Sequence, residues 1–359
     1  MVNLVDPESG ADWYTSAGQL ADYIAAQTPI SAVPKIPYFE NLWPDIGRAG
    51  RTSTQQAYYY ASKLAPDWTT VLQYLDYYFP SKYGPFAFYD DQYSALSAWR
   101  SQENTNFNAG QFMLRKRFSN GVQFDFNYTV SKSIDLTSEA ERTGSFGGAY
   151  GTGFILNAFK PGLNRAVSDY DVRQSINSNF LWQLPVGHGQ AFLSDSPGWV
   201  DQILGGWQLA GIFRTTSGFP ISTYNGRVWP TNWNISGWAT ATGDIRGETT
   251  RRGDGPNLFP NPELAIASFR NSRAGEAGTR NDLRGDGLFQ LDMGLGKTFN
   301  LPWEGQTIQF RWEVFNVTNT ARFDPQSLDL DVTNVLTFGR YTGTLSPPRV
   351  MQFGLRYQF

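Results

Sequence analysis

Cysteine is absent from this chain and histidine occurs once, as His188. That excludes a disulfide framework, a cysteine-based zinc site, a thiol nucleophile and any His-pair metal motif. Charge is scarce as well. Asp, Glu, Lys and Arg make up 17% of the residues, against about 25% in an ordinary soluble domain. The formal net charge of −3 gives no basic surface for nucleic acid. No apolar run approaches the roughly 20 residues of a membrane helix, and MVNLVDPESG lacks the basic start and apolar core of a signal peptide. These last two absences leave one class of membrane protein open. A membrane β-strand alternates apolar with polar residues and never produces a long apolar run.

What the chain has in quantity is aromatic residues, 12 Trp, 18 Tyr and 26 Phe, together with 36 Gly and 20 Pro. In the closing VMQFGLRYQF, Met351, Phe353, Leu355, Tyr357 and Phe359 share one face, with Gln352, Gly354, Arg356 and Gln358 on the other. Period-two alternation belongs to a strand; a helix would scatter these residues around its circumference. The pattern recurs in TIQFRWEVF (Ile308, Phe310, Trp312, Val314), in FQLDMGLG (Phe289, Leu291, Met293, Leu295) and in VQFDFNYTVSK (Val122, Phe124, Phe126, Tyr128, Val130). Weaker segments at 108–118, 172–184 and 205–217 complete a set of about seven strands, long enough to cross a bilayer when tilted. The expectation is an all-β fold: an antiparallel meander forming part of a transmembrane β-barrel.

The connections alternate in length. Ser119-Asn120-Gly121 is a tight hairpin turn and Leu301–Gly305 a short one, with 185–204 intermediate. Links 134–171, 218–285 and 318–347 are long. If the chain ends on the periplasmic side, every long link falls outside the cell and every shorter one inside, the asymmetry such barrels have. Residues 1–106 read as an external loop region with short helices at 11–27, 51–64 and 67–78, the last N-capped by Asp67. Residues 107–359 hold the strands.

Catalytic constellations are missing from the pattern, and no enzyme, cofactor or metal site is expected. His188 lies alone in PVGHGQ, and the glycine cluster 144–153 lacks the lysine of a phosphate loop. The Arg-Gly-Asp triplets at 252–254 and 284–286 read as turns or strand edges. Asp125, Asp292 and Glu313, with Arg214, Arg311 and Arg356, fall on the polar faces of strands, where a barrel would turn them into its lumen. Trp229, Trp233 and Trp238, interleaved with Asn232 and Asn234, crowd one long link. Exposed aromatics flanked by amides can stack on sugar rings and bond their hydroxyls, so these five are candidate ligand contacts.

Six segments in order, from NAGQFMLRKRFSNGVQFDFNYTVSKSID through DVRQSINSNFLWQLPVG, ILGGWQLAGIFRTTSGFPIS, GTRNDLRGDGLFQLDMGLGKTF and IQFRWEVFNVTNTARF to PPRVMQFGLRYQF, resemble TonB-dependent outer-membrane receptors, in particular the Oar-like group. The resemblance covers residues 107–359 well and 1–106 loosely. It implies a bacterial outer-membrane location, with membrane lipid as one partner. It also implies that the terminal Phe359 is the signal read by the barrel-assembly machinery. Receptors of this kind take up large nutrients when energy passed through TonB displaces a plug. Neither plug nor coupling motif is visible, and such barrels close with about 22 strands, so the chain is expected to be the C-terminal portion, meeting TonB and plug only through an upstream part. Two other readings stay open, a structural or adhesive barrel and a soluble β-sandwich binding module. A sandwich would bury the aromatic face beneath a second sheet.

Overall fold

The computed structural model describes residues 2–93, 98, 100–102, 104–138, 154–226, 228–232, 236–252 and 255–359. Seven long strands form one sheet: β1 (Asn106–Ser119), β2 (Val122–Asp135), β3 (Gln174–Gln183), β4 (Gln208–Thr216), β5 (Phe289–Asn300), β6 (Thr307–Phe315) and β7 (Val350–Gln358). They lie in chain order, each antiparallel to the next, and a two-residue strand, Ala166–Val167, adds to β2. This is the expected meander. The β1–β2 turn is made by Asn120 (φ 51°) and Gly121 (φ 74°), both left-handed, the geometry that matches the twist of a tight hairpin.

Register carries the side-chain alternation from strand to strand, with one shift, a bulge between Lys116 and Ser119 at the end of β1. Phe124 stands opposite Phe180, Leu209 opposite Leu295, Leu295 opposite Trp312, and Trp312 opposite Phe353. On the other face Asp125 stands opposite Asn179, Arg214 opposite Gln290, and Glu313 opposite Gln352. A one-residue slip anywhere would exchange the two sets. Trp312 stacks flat on Phe353 with centroids 6.0 Å apart. Above this lateral packing the apolar face stays open, with Phe353 70% and Leu355 75% exposed.

Apolar burial happens elsewhere. Three buried clusters are present among the described residues, and none contains a residue of the seven long strands. The largest belongs to the N-terminal helices α1 (Trp13–Ala25), α2 (Pro37–Leu42), α3 (Ser53–Leu64) and α4 (Trp68–Tyr78). Asp12, Thr52 and Asp67 cap α1, α3 and α4 by accepting backbone N–H groups, as such residues do at helix starts. Inside, Trp43 stacks on Phe88 at 5.4 Å and Trp13 meets Phe39 edge-on at 6.2 Å. The expected external loop region thus has a core of its own. The helix over Pro37–Leu42 is too short to show a period in sequence.

The second cluster is built from the links 217–288 and 316–349, around Phe259, Phe338, Leu283 and Tyr341. Ion pairs then bind the links together at one end of the sheet. Arg280 donates to Asp135 at 2.7 Å and to Asp169 at 2.8 Å; its side chain is 3% exposed and that of Asp135 1%. Arg284 pairs with Asp171, and Arg322 with Asp286 at 3.0 Å. The charges of the second Arg-Gly-Asp triplet are therefore structural clasps. The N-terminal helices join the same assembly through Tyr14, whose hydroxyl donates to the Thr231 carbonyl at 3.2 Å, and through the Arg273–Asp22 pair at 2.6 Å. All long links lie at this end, and the short turns lie at the other.

Two outcomes test this architecture. Removing one partner of a buried pair leaves an uncompensated charge and costs about 3–5 kcal/mol. Arg280→Met is accordingly expected to loosen the link assembly, read as proteinase K cleavage within 136–173 and 217–288 under conditions that spare the parent chain. Unchanged resistance would show that the clasp is dispensable. The second concerns Asp6. Burial would raise its pKa, but hydrogen bonds from Ser9, Asn41 and Lys82 outweigh that and hold it well below the ordinary 3.8. A depressed carboxyl stabilises fully above its unfolded value and loses that contribution as pH falls below it. Helical ellipticity should therefore lose stability as pH falls below about 4, and Asp6→Asn should flatten that dependence.

Candidate functional site

Two features could carry function: the two-faced sheet and the assembly of links above it. On the polar face, Asp125 takes an ion pair from Arg115 at 2.5 Å across the β1–β2 ladder. Glu313 has Arg311 at 3.7 Å and accepts from Gln352. Asp292 accepts the Asn316 backbone N–H at 2.8 Å and the Gln290 amide at 2.8 Å. Arg311 faces Gly296 on one side and Gly354 on the other, so no side chain stands beside it in either neighbouring strand. Asp125, Asp292, Arg311, Glu313 and Arg356 all share this face, as the alternation required. Their partners are set by the register and the link ends. Asp125 uses Arg115, a residue of the weak first strand, and Asp292 is held by amides.

In the link assembly, the five candidate ligand contacts separate. Trp238 is 3% exposed and packs with Leu156 and Ala277 under the Arg280 guanidinium, 5.8 Å from the ring. Its carbonyl accepts from Ser272 at 2.6 Å and Asn225 at 2.9 Å. A residue so enclosed offers no stacking face, and the expectation of ligand contact fails there. The ring that alternation could not place is a core ring because the cationic clasp and the Leu156 link close over it. Trp229 is half-buried, and its carbonyl accepts the Thr69 backbone N–H at 3.0 Å. Asn232 is half-buried beside Thr231, the acceptor for Tyr14. Trp233 and Asn234 lie outside the described residues, as does the glycine cluster 144–153.

A cleft of about 410 Å³ opens where α1, the 157–163 segment and the 274–278 segment meet. Tyr14, Thr15, Lys160, Thr240 and Glu276 supply its polar lining. Burial raises the Tyr14 phenol above its usual range, so it stays neutral, and its one proton is given to the Thr231 carbonyl. Burial also works against the Glu276 carboxylate, but hydrogen bonds from Arg270 and the Arg273 backbone prevail and keep it ionised. The arrangement can hold a polar, uncharged molecule by hydrogen bonds. It brings together no nucleophile with a base, and among the described residues no cluster of His, Cys, Asp or Glu could hold a metal. Sequence reasoning missed this cleft because its walls come from three distant segments, and no local motif marks any of them. His188 is exposed in the link between β3 and β4, where its backbone N–H donates to Asp201 at 2.6 Å.

A family model described as an outer membrane beta barrel domain matches residues 46–352, most of the chain, including part of the helical region and nearly the whole sheet. Searches of curated proteins and of solved structures return no match. The matched span contains the first six strands, the six links between strands and the first three residues of β7. The chain belongs to the outer membrane beta barrel domain family.

Proposed function

We propose that the chain forms the C-terminal barrel wall and the external cap of a TonB-dependent receptor in a bacterial outer membrane, serving uptake of a large nutrient. The observation that carries the membrane part is the continuous apolar face, which runs from Phe124 through Leu295 and Trp312 to Phe353 and, among the described residues, has no second sheet over it. In water such a face would be costly; in hydrocarbon it is the expected outer surface of a barrel. The lumen role of Asp125, Asp292, Arg311, Glu313 and Arg356 follows from the same reading, since the face opposite to lipid lines the interior.

The receptor part rests on the resemblance of residues 107–359 and on the size of the cap. A cap built from three long links and four helices, with a cleft of about 410 Å³, suits capture of a ligand from the medium. Carbohydrate is the favoured class. Trp229 and Asn232 belong to the cap, and the cleft offers the Thr15 hydroxyl, the Lys160 ammonium and the Glu276 carboxylate, a set that matches hydroxyls. Coupling to TonB and gating by a plug belong to an upstream part, and Phe359 supplies the assembly signal.

Arginine scanning of the faces tests the reading. Trp312→Arg points a cation into hydrocarbon and is expected to cost about 2–4 kcal/mol of stability in lipid vesicles, Leu355→Arg less because it stands nearer the strand end. Glu313→Arg, on the opposite face, loses only exposed contacts, worth on the order of 1 kcal/mol or less. Urea unfolding of the complete receptor in vesicles measures all three. Equal losses at 312 and 313 would sink the assignment of faces and the membrane reading with it. Receptor function is tested separately: cells carrying the complete receptor should accumulate oligosaccharide only while the inner membrane is energised. Uptake that survives an uncoupler would argue for a passive barrel.

A further inference from the structure

The link between β3 and β4 is too elaborate for a turn. It folds on itself through backbone bonds from Gly187 to Phe192 and from Gly189 to Ser194, then forms a seven-residue helix, α5 (Gly198–Leu204). Asp201, the helix's only charged residue, turns back to accept the His188 N–H at 2.6 Å. Its carboxylate also occupies the space a side chain at Gly205 would need. The outward residues are apolar. Trp199 is 69% and Ile203 57% exposed, four apart and so on one side of the helix, and Phe192 and Leu204 are exposed beside them. Nothing in the folding of the link explains this surface.

Where the helix attaches decides what the surface meets. Trp207, immediately before β4, donates its indole N–H to the Ile203 carbonyl at 2.9 Å and packs edge-on against Phe310 at 6.0 Å and Phe299 at 6.5 Å. Phe310 and Phe299 both belong to the apolar face. So does Lys297, which stands opposite Phe310, yet it is 6% exposed. Its ammonium donates to the carbonyls of Gln202 at 2.6 Å and Asp201 at 3.3 Å in the last turn of α5, where the Asp201 carbonyl also accepts the Gly205 backbone N–H at 2.8 Å. Gln202 in turn donates to the Asn300 carbonyl at 3.0 Å. The helix is thus tied to the lipid side of the sheet, at the end bearing the short turns, and its exposed surface continues the apolar face.

We propose that α5 and its flanking loop form an interfacial anchor that beds Trp199 and Ile203 in the phospholipid of the periplasmic leaflet. This rests on the membrane reading above. An amphipathic segment lying in the plane of the interface buries its apolar side at the boundary between headgroups and acyl chains, and tryptophan is favoured there. Lys297 has a double part. It ties down the last turn of the helix through the Gln202 and Asp201 carbonyls and is itself relieved of an otherwise costly position on a lipid-facing strand. Trp303, 63% exposed in the β5–β6 turn, stands at the same end of the sheet.

The absence of cysteine makes the test direct. Single variants Trp199→Cys, Ile203→Cys, Gln190→Cys and Leu355→Cys are made in the complete receptor, cleared of any other cysteine, labelled with an environment-sensitive fluorophore and folded into phosphatidylethanolamine–phosphatidylglycerol vesicles. Lipids spin-labelled near the headgroup or near the chain end, and aqueous iodide, serve as quenchers. Labels at 199 and 203 should emit to the blue of the label at 190 and lose most intensity to the shallow spin label. The label at 190 should respond to iodide, and that at 355 to both lipid labels. Water-like emission and iodide quenching at 199 and 203, with 355 in lipid, would overturn the anchor alone and assign the surface to a periplasmic protein. Water-like emission at 355 as well would overturn the membrane reading together with the anchor.

Discussion

Backbone hydrogen bonding across the sheet is the constraint on which the rest depends. In hydrocarbon an unpaired N–H or C=O has no water to turn to, so each strand must be bonded on both sides. Six ladders meet that demand here, each antiparallel, and the demand fixes a parity. With seven strands alternating in direction, β1 and β7 run the same way. They cannot close on each other antiparallel, and neither can β7 of one copy close on β1 of another in the same orientation. Only an odd number of further strands completes an antiparallel ring. The two outer strands carry unpaired edges, exposed along nearly their whole length, which in an isolated sheet would invite aggregation.

Once the ladder is fixed, so are the two faces, and each solves a different packing problem. The apolar face needs no partner beyond its own neighbours, so flat stacking of Trp312 on Phe353 suffices. The polar face must seat long charged side chains close together. Glycine beside Arg311 in both adjoining strands leaves it that room. Because neither face builds a core, the chain's ordinary hydrophobic burial is displaced into the helices and links. There the buried clasps of Arg280 and Arg284 fix links that sequence distance would otherwise leave independent. Cap and wall are stabilised by different physics, and a change in one should leave the other standing.

Strands were legible because their period is two and their neighbours follow in order. Even β4 and β5, separated by the long link 217–288, pair as a meander requires. Faces were legible for the same reason, which is why all five polar-face residues fell together. The cap was not legible. Burial of Trp238 depends on Arg280 and Leu156, neither near it in sequence. The cleft draws Tyr14, Lys160 and Glu276 from segments whose meeting no local pattern encodes. Short helices such as α2 and α5 escape because six or seven residues make less than two turns. Capped helices were easier: Asp67 announces α4 by its chemistry alone.

Departures from alternation carry information that the alternation itself lacks. On the apolar face of the seven strands, charge occurs at Lys116, Lys132 and Lys297 and at no other described position. Each stands close to a strand end: Lys116 near Ser119, Lys132 near Asp135 and Lys297 near Asn300. All three are lysine, the side chain that can lay an apolar stem along lipid while its ammonium reaches a polar level. Lys116 reaches the Ser119 hydroxyl at 2.8 Å, and Lys297 the carbonyls of α5. At the short-turn end the same face also carries Trp182, Phe299 and Tyr357, with the Tyr357 hydroxyl donating to Gln306 at 2.7 Å. Trp182 and Tyr357 have a polar edge, which Phe299 lacks, and such rings belong with outward-reaching cations at the level where hydrocarbon gives way to headgroups. The stretch of face between these levels is free of charge among the described residues, as a band that meets hydrocarbon must be.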